Sequence, residues 1–171
     1  QYIHLVSNSN STLPTDVWVQ STARVKPQQA LQFNLGYFKN FKENMYEMSV
    51  EFYYKQLWNQ IEYTESYVSE LDVDPELSYV FGKGKAYGAE FFIRKNKGKL
   101  NGWVSYTLSK TERQVRGISN DEWFLSKYDR THNVNTVLIY DLNKRFSFSA
   151  NFIFQTGTPA TFPIAKVELQ G

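Results

Sequence analysis

Hydrophobic and polar side chains alternate one by one along several stretches of this chain. From Tyr46 to Lys55, apolar or aromatic residues occupy the even positions, and polar residues occupy all but one of the odd positions. A period of two residues is typical of a β-strand with one apolar and one polar face. The pattern predicts an all-β chain with six main strands, near residues 31–41, 45–63, 85–95, 100–113, 131–142 and 146–158.

The connections between these strands are alternately short and long. Three are tight polar turns, at residues 42–44, 96–99 and 143–145, whereas residues 7–29, 64–84 and 114–130 form long connections. In an antiparallel up-and-down meander, all the short turns lie at one end of the sheet and all the long loops at the other. Long strands with an apolar outer face, a polar inner face and this loop asymmetry are typical of a transmembrane β-barrel, of which the chain would form part.

The charged residues of the strands fall on the polar positions of the alternation, as this interpretation requires. A register slip of one residue would turn them toward lipid, at a total cost on the order of 10 kcal/mol. We therefore predict that they face a lumen, as a wetted network of paired charges on the inner wall. These lumen-facing charges are Glu47, Glu51, Lys55, Glu90 and Arg94.

Composition narrows the remaining function classes. The 171 residues carry 19 basic and 17 acidic side chains, a formal net charge of +2, which argues against a nucleic-acid partner. The absence of cysteine excludes disulfides and thiolate metal sites, and no apolar run is long enough for a transmembrane helix. Aromatic residues make up 17% of the chain, which fits many amphipathic strands. No cofactor is expected.

Several short motifs occur in an order and spacing that carry a family resemblance. They are Leu13-Pro14-Thr15-Asp16-Val17-Trp18-Val19, Tyr53-Tyr54-Lys55, Gly82-Lys83-Gly84 with Ala86-Tyr87-Gly88-Ala89-Glu90, Gly102-Trp103 with Tyr106-Thr107-Leu108-Ser109, Tyr128-Asp129-Arg130-Thr131-His132-Asn133, and Thr156-Gly157-Thr158-Pro159. In this order, nearly the whole chain resembles the C-terminal part of the barrel of a TonB-dependent outer-membrane receptor.

The resemblance implies a 22-stranded barrel closed by an N-terminal plug, in the outer membrane of a Gram-negative bacterium. Such receptors take up nutrients actively: extracellular loops capture the ligand, and the TonB complex supplies energy through the N-terminal region. Outer-membrane lipid and a nutrient ligand are therefore the implied partners. The resemblance leaves open whether a surface lipoprotein covers the mouth of the barrel as a lid.

The chain departs from the family pattern because it has no plug, no TonB-contacting box and no terminal aromatic residue. We expect it to be a fragment with both ends cut, whose open sheet edges can associate with other copies.

The sequence offers no convincing catalytic centre, and we predict that the chain is not an enzyme. Its two histidines, His4 and His132, are too few for a histidine-rich metal site, and no serine sits in a nucleophile elbow. We interpret Asp129 and Arg130 as fixing the loop where it re-enters the sheet. An acidic cluster lacks the glycine of the known calcium loop and is interpreted as a solvated loop; its members are Glu70, Asp72, Asp74 and Glu76.

Aromatic residues in the long loops form the candidate binding surface. Their rings can stack on sugars or on apolar ligand faces, and an arginine can pair with an anionic group. Packing of the loops on one another explains the same residues equally well. The predicted substrate-binding residues are Trp18, Tyr67, Tyr79, Trp123, Phe124, Tyr128 and Arg130.

Two alternatives to a receptor fragment follow from the same pattern. One is a complete small outer-membrane barrel, an adhesin or an enzyme, which counts residues 2–6 and 164–169 as two more strands. The other is a soluble β-sandwich or lipocalin-like binding module, in which the apolar strand faces point into a core.

Overall fold

The computed structural model describes residues 3–7, 16–63 and 79–159, and their backbone is built almost entirely of β-strands. One short 3-10 turn, Ser119–Asp121, interrupts the last long connection of this part. No helix in it is long and apolar enough to span a membrane. The strands are β1 (Ile3–Ser7), β2 (Asp16–Gln20), β3 (Gln29–Phe41), β4 (Tyr46–Tyr63), β5 (Tyr79–Lys95), β6 (Leu100–Val115), β7 (Phe124–Leu125), β8 (His132–Asp141) and β9 (Ser147–Gln155).

Six long strands form one antiparallel meander in the order β3-β4-β5-β6-β8-β9, and short β7 pairs with β6 beside it. This confirms the predicted all-β class and the up-and-down topology. Strands β1 and β2 pair only with each other, in a separate two-stranded sheet. Strands β3 and β9 stand at the two edges of the main sheet, so the sheet of described strands is open.

Each of the six predicted segments contains one long strand, but the long connections hold more regular structure than the sequence indicates. Strand β5 begins at Tyr79 and not near residue 85, because Tyr79 pairs with Tyr63 at the far end of β4. The segment Gly82-Lys83-Gly84, interpreted from sequence as a loop, therefore lies within β5. Strands β2 and β7 likewise lie inside predicted loops.

A β-bulge in β4 changes the direction of its side chains near the long-loop end. The register shifts by one residue between Leu57 and Gln60, and Asn59 adopts a positive φ of 55°. Asparagine tolerates this left-handed conformation better than most residues. The Asn59 side-chain amide donates to the Pro27 carbonyl at 2.8 Å, which ties the bulge to the segment before β3.

The shifted phase creates a small hydrophobic core above the bulge. Beyond it, Ile61 stands opposite Phe81, and the two share this side of the sheet with Tyr79. Val25 covers them from the preceding loop, so that Val25, Ile61 and Tyr79 form a buried cluster against which Phe81 packs. Elsewhere in the described part the sheet has little core, since its large apolar side chains remain exposed, up to 73% for Leu35.

At the opposite end, hydrogen bonds join the first two tight turns, and they join the second turn to the end of β8. The Asn96 amide donates to the Met45 carbonyl at 2.8 Å, and the Lys97 ammonium donates to the Glu43 carbonyl at 2.7 Å. The Asp141 amide donates in turn to the Lys99 carbonyl at 2.7 Å. Neighbouring hairpins are therefore held in register at their closed ends, in addition to the strand ladders.

We predict that Gly102→Ala destabilises the sheet. Gly102 has φ of +141°, and a Cβ at this position would lie 2.1 Å from the Val137 carbonyl oxygen of the adjacent strand. Backbone strain of this kind costs about 1–3 kcal/mol, to which the clash adds. Chemical denaturation followed by tryptophan fluorescence would measure the loss in free energy of unfolding.

Gly157→Ala is the matched control, because a Cβ there meets no atom within 4 Å. Equal stability of the two variants would contradict the close approach of β6 and β8.

Candidate functional site

One face of the main sheet is a continuous band of exposed apolar side chains, which we term the apolar band. Residues paired directly across antiparallel strands share a face, and the registers place the apolar alternation of all six strands on the same side. The band consists of every second residue of Leu31–Tyr37, Tyr46–Tyr54, Tyr87–Ile93, Leu100–Leu108, Val134–Tyr140 and Phe148–Phe154, with Thr136 as its one polar member.

The boundaries of the apolar band drift steadily from strand to strand. At the long-loop end, Leu31 of β3 is the last apolar member and stands opposite Gln56 of β4. The last member on β9 is Phe154, and the registers through β8, β6 and β5 connect it to Val50 of β4. The boundary has thus moved by about six residues over five strand-to-strand steps. The opposite boundary moves in the same direction by a similar amount.

This drift gives the inclination of the strands. With about 3.3 Å per residue and about 4.8 Å between strands, six residues in five steps correspond to strands tilted by about 40° from the normal of the band. On β5 the band is bounded by Lys85 and Lys95. Ten residues at this tilt give the band a height of about 25 Å.

All five charges predicted to face a lumen lie on the face opposite the apolar band. Glu47 pairs in register with Arg94, and Glu51 with Glu90. In the part of the chain that the structure describes, no ion pair joins any of the five, and Glu51 faces a like charge. The register sets Glu47 opposite Arg94 but Glu51 beside a like charge, and the expectation of paired charges stays a prediction.

The ion pairs lie nearer the long loops. Lys85 and Lys110 both contact the Glu112 carboxylate, at 3.2 and 2.9 Å. The hydrogen bond from Lys110, followed by that from Lys85, holds the pKa of Glu112 below its usual value, so this carboxylate stays ionised near neutral pH. It forms a charged triad just beyond the apolar band.

A third ion pair crosses a whole strand on the polar face. Arg113 of β6 pairs with Glu62 of β4, although β5 lies between them. The residues of β5 beneath this pair are Gly82 and Gly84, which stand opposite Gln60 and Arg113 and have no side chain to obstruct it. The two glycines of the predicted loop therefore allow two non-adjacent strands to be joined.

Asp129 fixes the last long connection to the sheet, as interpreted from the sequence. The residue is 3% exposed, and its carboxylate accepts hydrogen bonds from the Thr111 amide at 2.6 Å and the Thr131 hydroxyl at 3.2 Å. Buried Ser126 adds a backbone bond to Thr111 at 2.8 Å. The carboxylate is fully engaged in positioning the backbone.

His132 begins β8 and is also engaged locally. Its ring stacks near Tyr106, with Tyr106 Oη 2.9 Å from His132 Nδ1. In the described ranges, no group of three or more His, Cys, Asp or Glu side chains is arranged to hold a metal ion.

The predicted binding residues of the last long connection lie together, but with different exposure. Trp123 is partly buried, and its ring lies 4.2 Å from the Lys85 ammonium and 5.6 Å from that of Lys83. Phe124 is partly buried in β7, opposite Arg113. Tyr128 is 60% exposed, and the Lys127 ammonium lies 5.2 Å from the centre of its ring. The exposed Arg130 donates to the Gln155 side chain, which ties it to β9.

Of the other predicted binding residues, the structure describes Tyr79 and Trp18. Tyr79 is only 7% exposed, in the cluster with Val25 and Ile61, so its ring is occupied by packing and not available to a ligand. Trp18 lies in β2, opposite Leu5 in register. Tyr67 and the acidic cluster at residues 70–76 lie outside the described residues.

Lys83, Lys85 and Glu112 lie at the long-loop end of the sheet, but they were not predicted from the sequence as part of the site. Lys85 interrupts the apolar alternation of β5, and Glu112 does the same on β6. These paired interruptions in neighbouring strands were the available signal for a polar boundary.

Comparisons of the chain with protein-family models, with curated proteins and with solved structures found no match.

We predict that Asp129→Ala loosens the connection between β6 and β8. The change leaves the partly buried Thr111 amide without its acceptor, at a cost of about 1–3 kcal/mol. Hydrogen–deuterium exchange should speed up at Thr111 and in residues 116–131, where the loop loses its attachment.

Glu122→Gln serves as the control, since it neutralises an exposed carboxylate in the same loop. If exchange at Thr111 is the same in both variants, Asp129 does not hold the loop.

Proposed function

We propose that this chain forms part of the wall of a transmembrane β-barrel, with the apolar band facing lipid. The drift of the band boundaries carries this proposal. Strands of outer-membrane barrels tilt by about 35–45° and present an apolar band about 25 Å tall, and the tilt of about 40° and height of about 25 Å found here agree with both. A flat membrane crossed by inclined strands requires such a drift.

The distribution of charge supports the same orientation. Basic residues mark both limits of the band on β5, at Lys85 and Lys95, where long cationic side chains can reach headgroups. The five charged residues on the opposite face would line an aqueous lumen. Aromatic rings also mark the limits: Phe41 and Tyr46 stack at 5.3 Å beside the tight turns, and Tyr54 stands opposite Tyr87 toward the long loops.

A soluble sandwich or lipocalin-like module is less well supported. Such a fold would have to cover the apolar band with a second layer or close the sheet around it. In the described residues the band is the more exposed face of the sheet. The buried hydrophobic cluster lies beyond the long-loop limit of the band.

A complete eight-stranded barrel gains no support from the strand pairing. It would need residues 2–6 to form a strand of the meander, but β1 pairs with β2. Residues 164–169, its other additional strand, lie outside the described residues.

We propose further that the barrel belongs to a TonB-dependent receptor that takes up a nutrient across a Gram-negative outer membrane. The ordered motifs and the placement of all long connections at one end support this. The wall would supply the lumen surface and loops that contact the ligand, with exposed Tyr128 as the best-placed of the predicted contact residues. Further strands must pair with the open edges of β3 and β9, because unpaired backbone groups are costly in lipid.

The receptor proposal is tested by fractionating source cells and blotting with an antibody raised against this chain, in boiled and unheated samples. A band several times larger than 20.0 kDa in the outer membrane would support the receptor, and peptide mass spectrometry of that band should reveal a plug domain. A heat-modifiable band near 20 kDa would favour the small barrel. A soluble band would overturn the membrane proposal.

We predict that Val50→Lys impairs folding into lipid vesicles. Val50 lies near the middle of the band, where a lysine facing lipid costs about 2–4 kcal/mol. The folded fraction after refolding into phosphatidylcholine vesicles should fall, as measured by protease protection.

Ser49→Lys is the matched control, because Ser49 is the neighbouring residue on the opposite face. An equal effect of the two substitutions, or complete folding without vesicles, would contradict the assignment of the lipid-facing side.

A further inference from the structure

The apolar band contains a groove of about 540 Å³ near its long-loop limit. Ala89 lies in its floor, between Phe52 of β4 and Leu108 of β6 in direct register. A methyl group between two large side chains leaves the space that forms the groove. The walls include Phe52, Tyr87, Leu108, Lys110 and Leu125.

Strand β7 completes one side of this groove. It pairs with the end of β6, which sets Leu125 opposite Glu112, and Leu125 is 42% exposed. The last long connection thereby contributes an apolar side chain at the long-loop limit of the band. The groove is apolar for most of its length and becomes polar only at this end.

Two basic side chains share one acidic partner at the polar end of the groove. Lys110 lines the groove, and it shares Glu112 with Lys85, so two ammonium groups face one carboxylate. The Lys110 side chain is 46% exposed, and an ammonium has three N–H donors. Lys110 follows Leu108 by one step on the same face, which puts its charge immediately outside the apolar band.

We propose that this groove binds one acyl chain of a phosphate-bearing lipid, with Lys110 pairing with the phosphate. The inference rests on the proposed membrane orientation. In that orientation the groove opens to the leaflet beside the long loops, and Lys110 lies at headgroup depth. Charge complementarity selects an anionic lipid over a zwitterionic one, and the narrow space over Ala89 accommodates a flexible chain.

The test uses the full chain folded into vesicles of equal parts phosphatidylcholine and phosphatidic acid, then extracted in mild detergent. Native mass spectrometry counts the lipids that remain bound. The parent chain should retain phosphatidic acid preferentially. Lys110→Gln should lower this retention about tenfold, since it removes a hydrogen bond to a charged group, and Lys110→Arg should restore it.

Ala89→Leu should reduce retention of phosphatidic acid by filling the floor of the groove. Ala150→Leu is the matched control, because Ala150 lies in the same band on β9, away from the groove. Lys95→Gln controls for loss of a lysine at the opposite limit of the band.

The outcomes separate this inference from the proposed function. If the chain enters vesicles but Lys110→Gln and Ala89→Leu retain as much phosphatidic acid as the parent, the groove proposal is overturned while the membrane orientation stands. Equal retention of both lipids by the parent would also overturn it. If the chain enters vesicles neither alone nor within the larger protein that carries it, the membrane proposal itself fails.

Discussion

The register between neighbouring strands is the constraint on which the other features of this protein depend. Because side chains alternate with a period of two residues, a slip of one residue would exchange the two faces of a strand. The observed registers keep Val50 beside Phe91, and Glu51 beside Glu90, on opposite faces. The apolar band, its drift and the polar face all follow from this one set of backbone pairings.

At the long-loop end a different set of contacts takes over. The bulge at Asn59 reverses the phase of β4, so the side chains above it pack into a local core. Glycines in β5 open a path for the ion pair between Arg113 and Glu62, and Asp129 anchors the returning loop. Thus the sheet continues past the apolar band as a rigid platform under the long connections. In the proposed receptor, this platform would set the positions of ligand-contacting loops.

Local pattern was sufficient to predict the six long strands and the tight turns, since alternation and turn residues are both encoded within a few positions. The extension of β5 to Tyr79 was not predictable in this way. It depends on Val25, Ile61 and the link between Asn59 and Pro27, residues far apart in the chain. The candidate site divides similarly: the sequence before β8 indicated the role of Asp129, whereas the stacking of Lys85 on Trp123 depends on the path of a loop. Alternation assigns a face to the five charges but not a partner, so their pairing stays a prediction.

The hydrogen bonds between adjacent tight turns bear on how the sheet assembles. Each long strand pairs with the long strand that follows it in sequence, the first tight turn is bonded to the second, and the second is bonded to the end of β8. Contacts that are local in sequence require little loop closure before they form. A newly formed hairpin therefore presents both a strand edge and a bonded turn as a template for the next one. The wall can grow by successive addition of hairpins, with the closed ends aligning each arrival before its strands are fully paired.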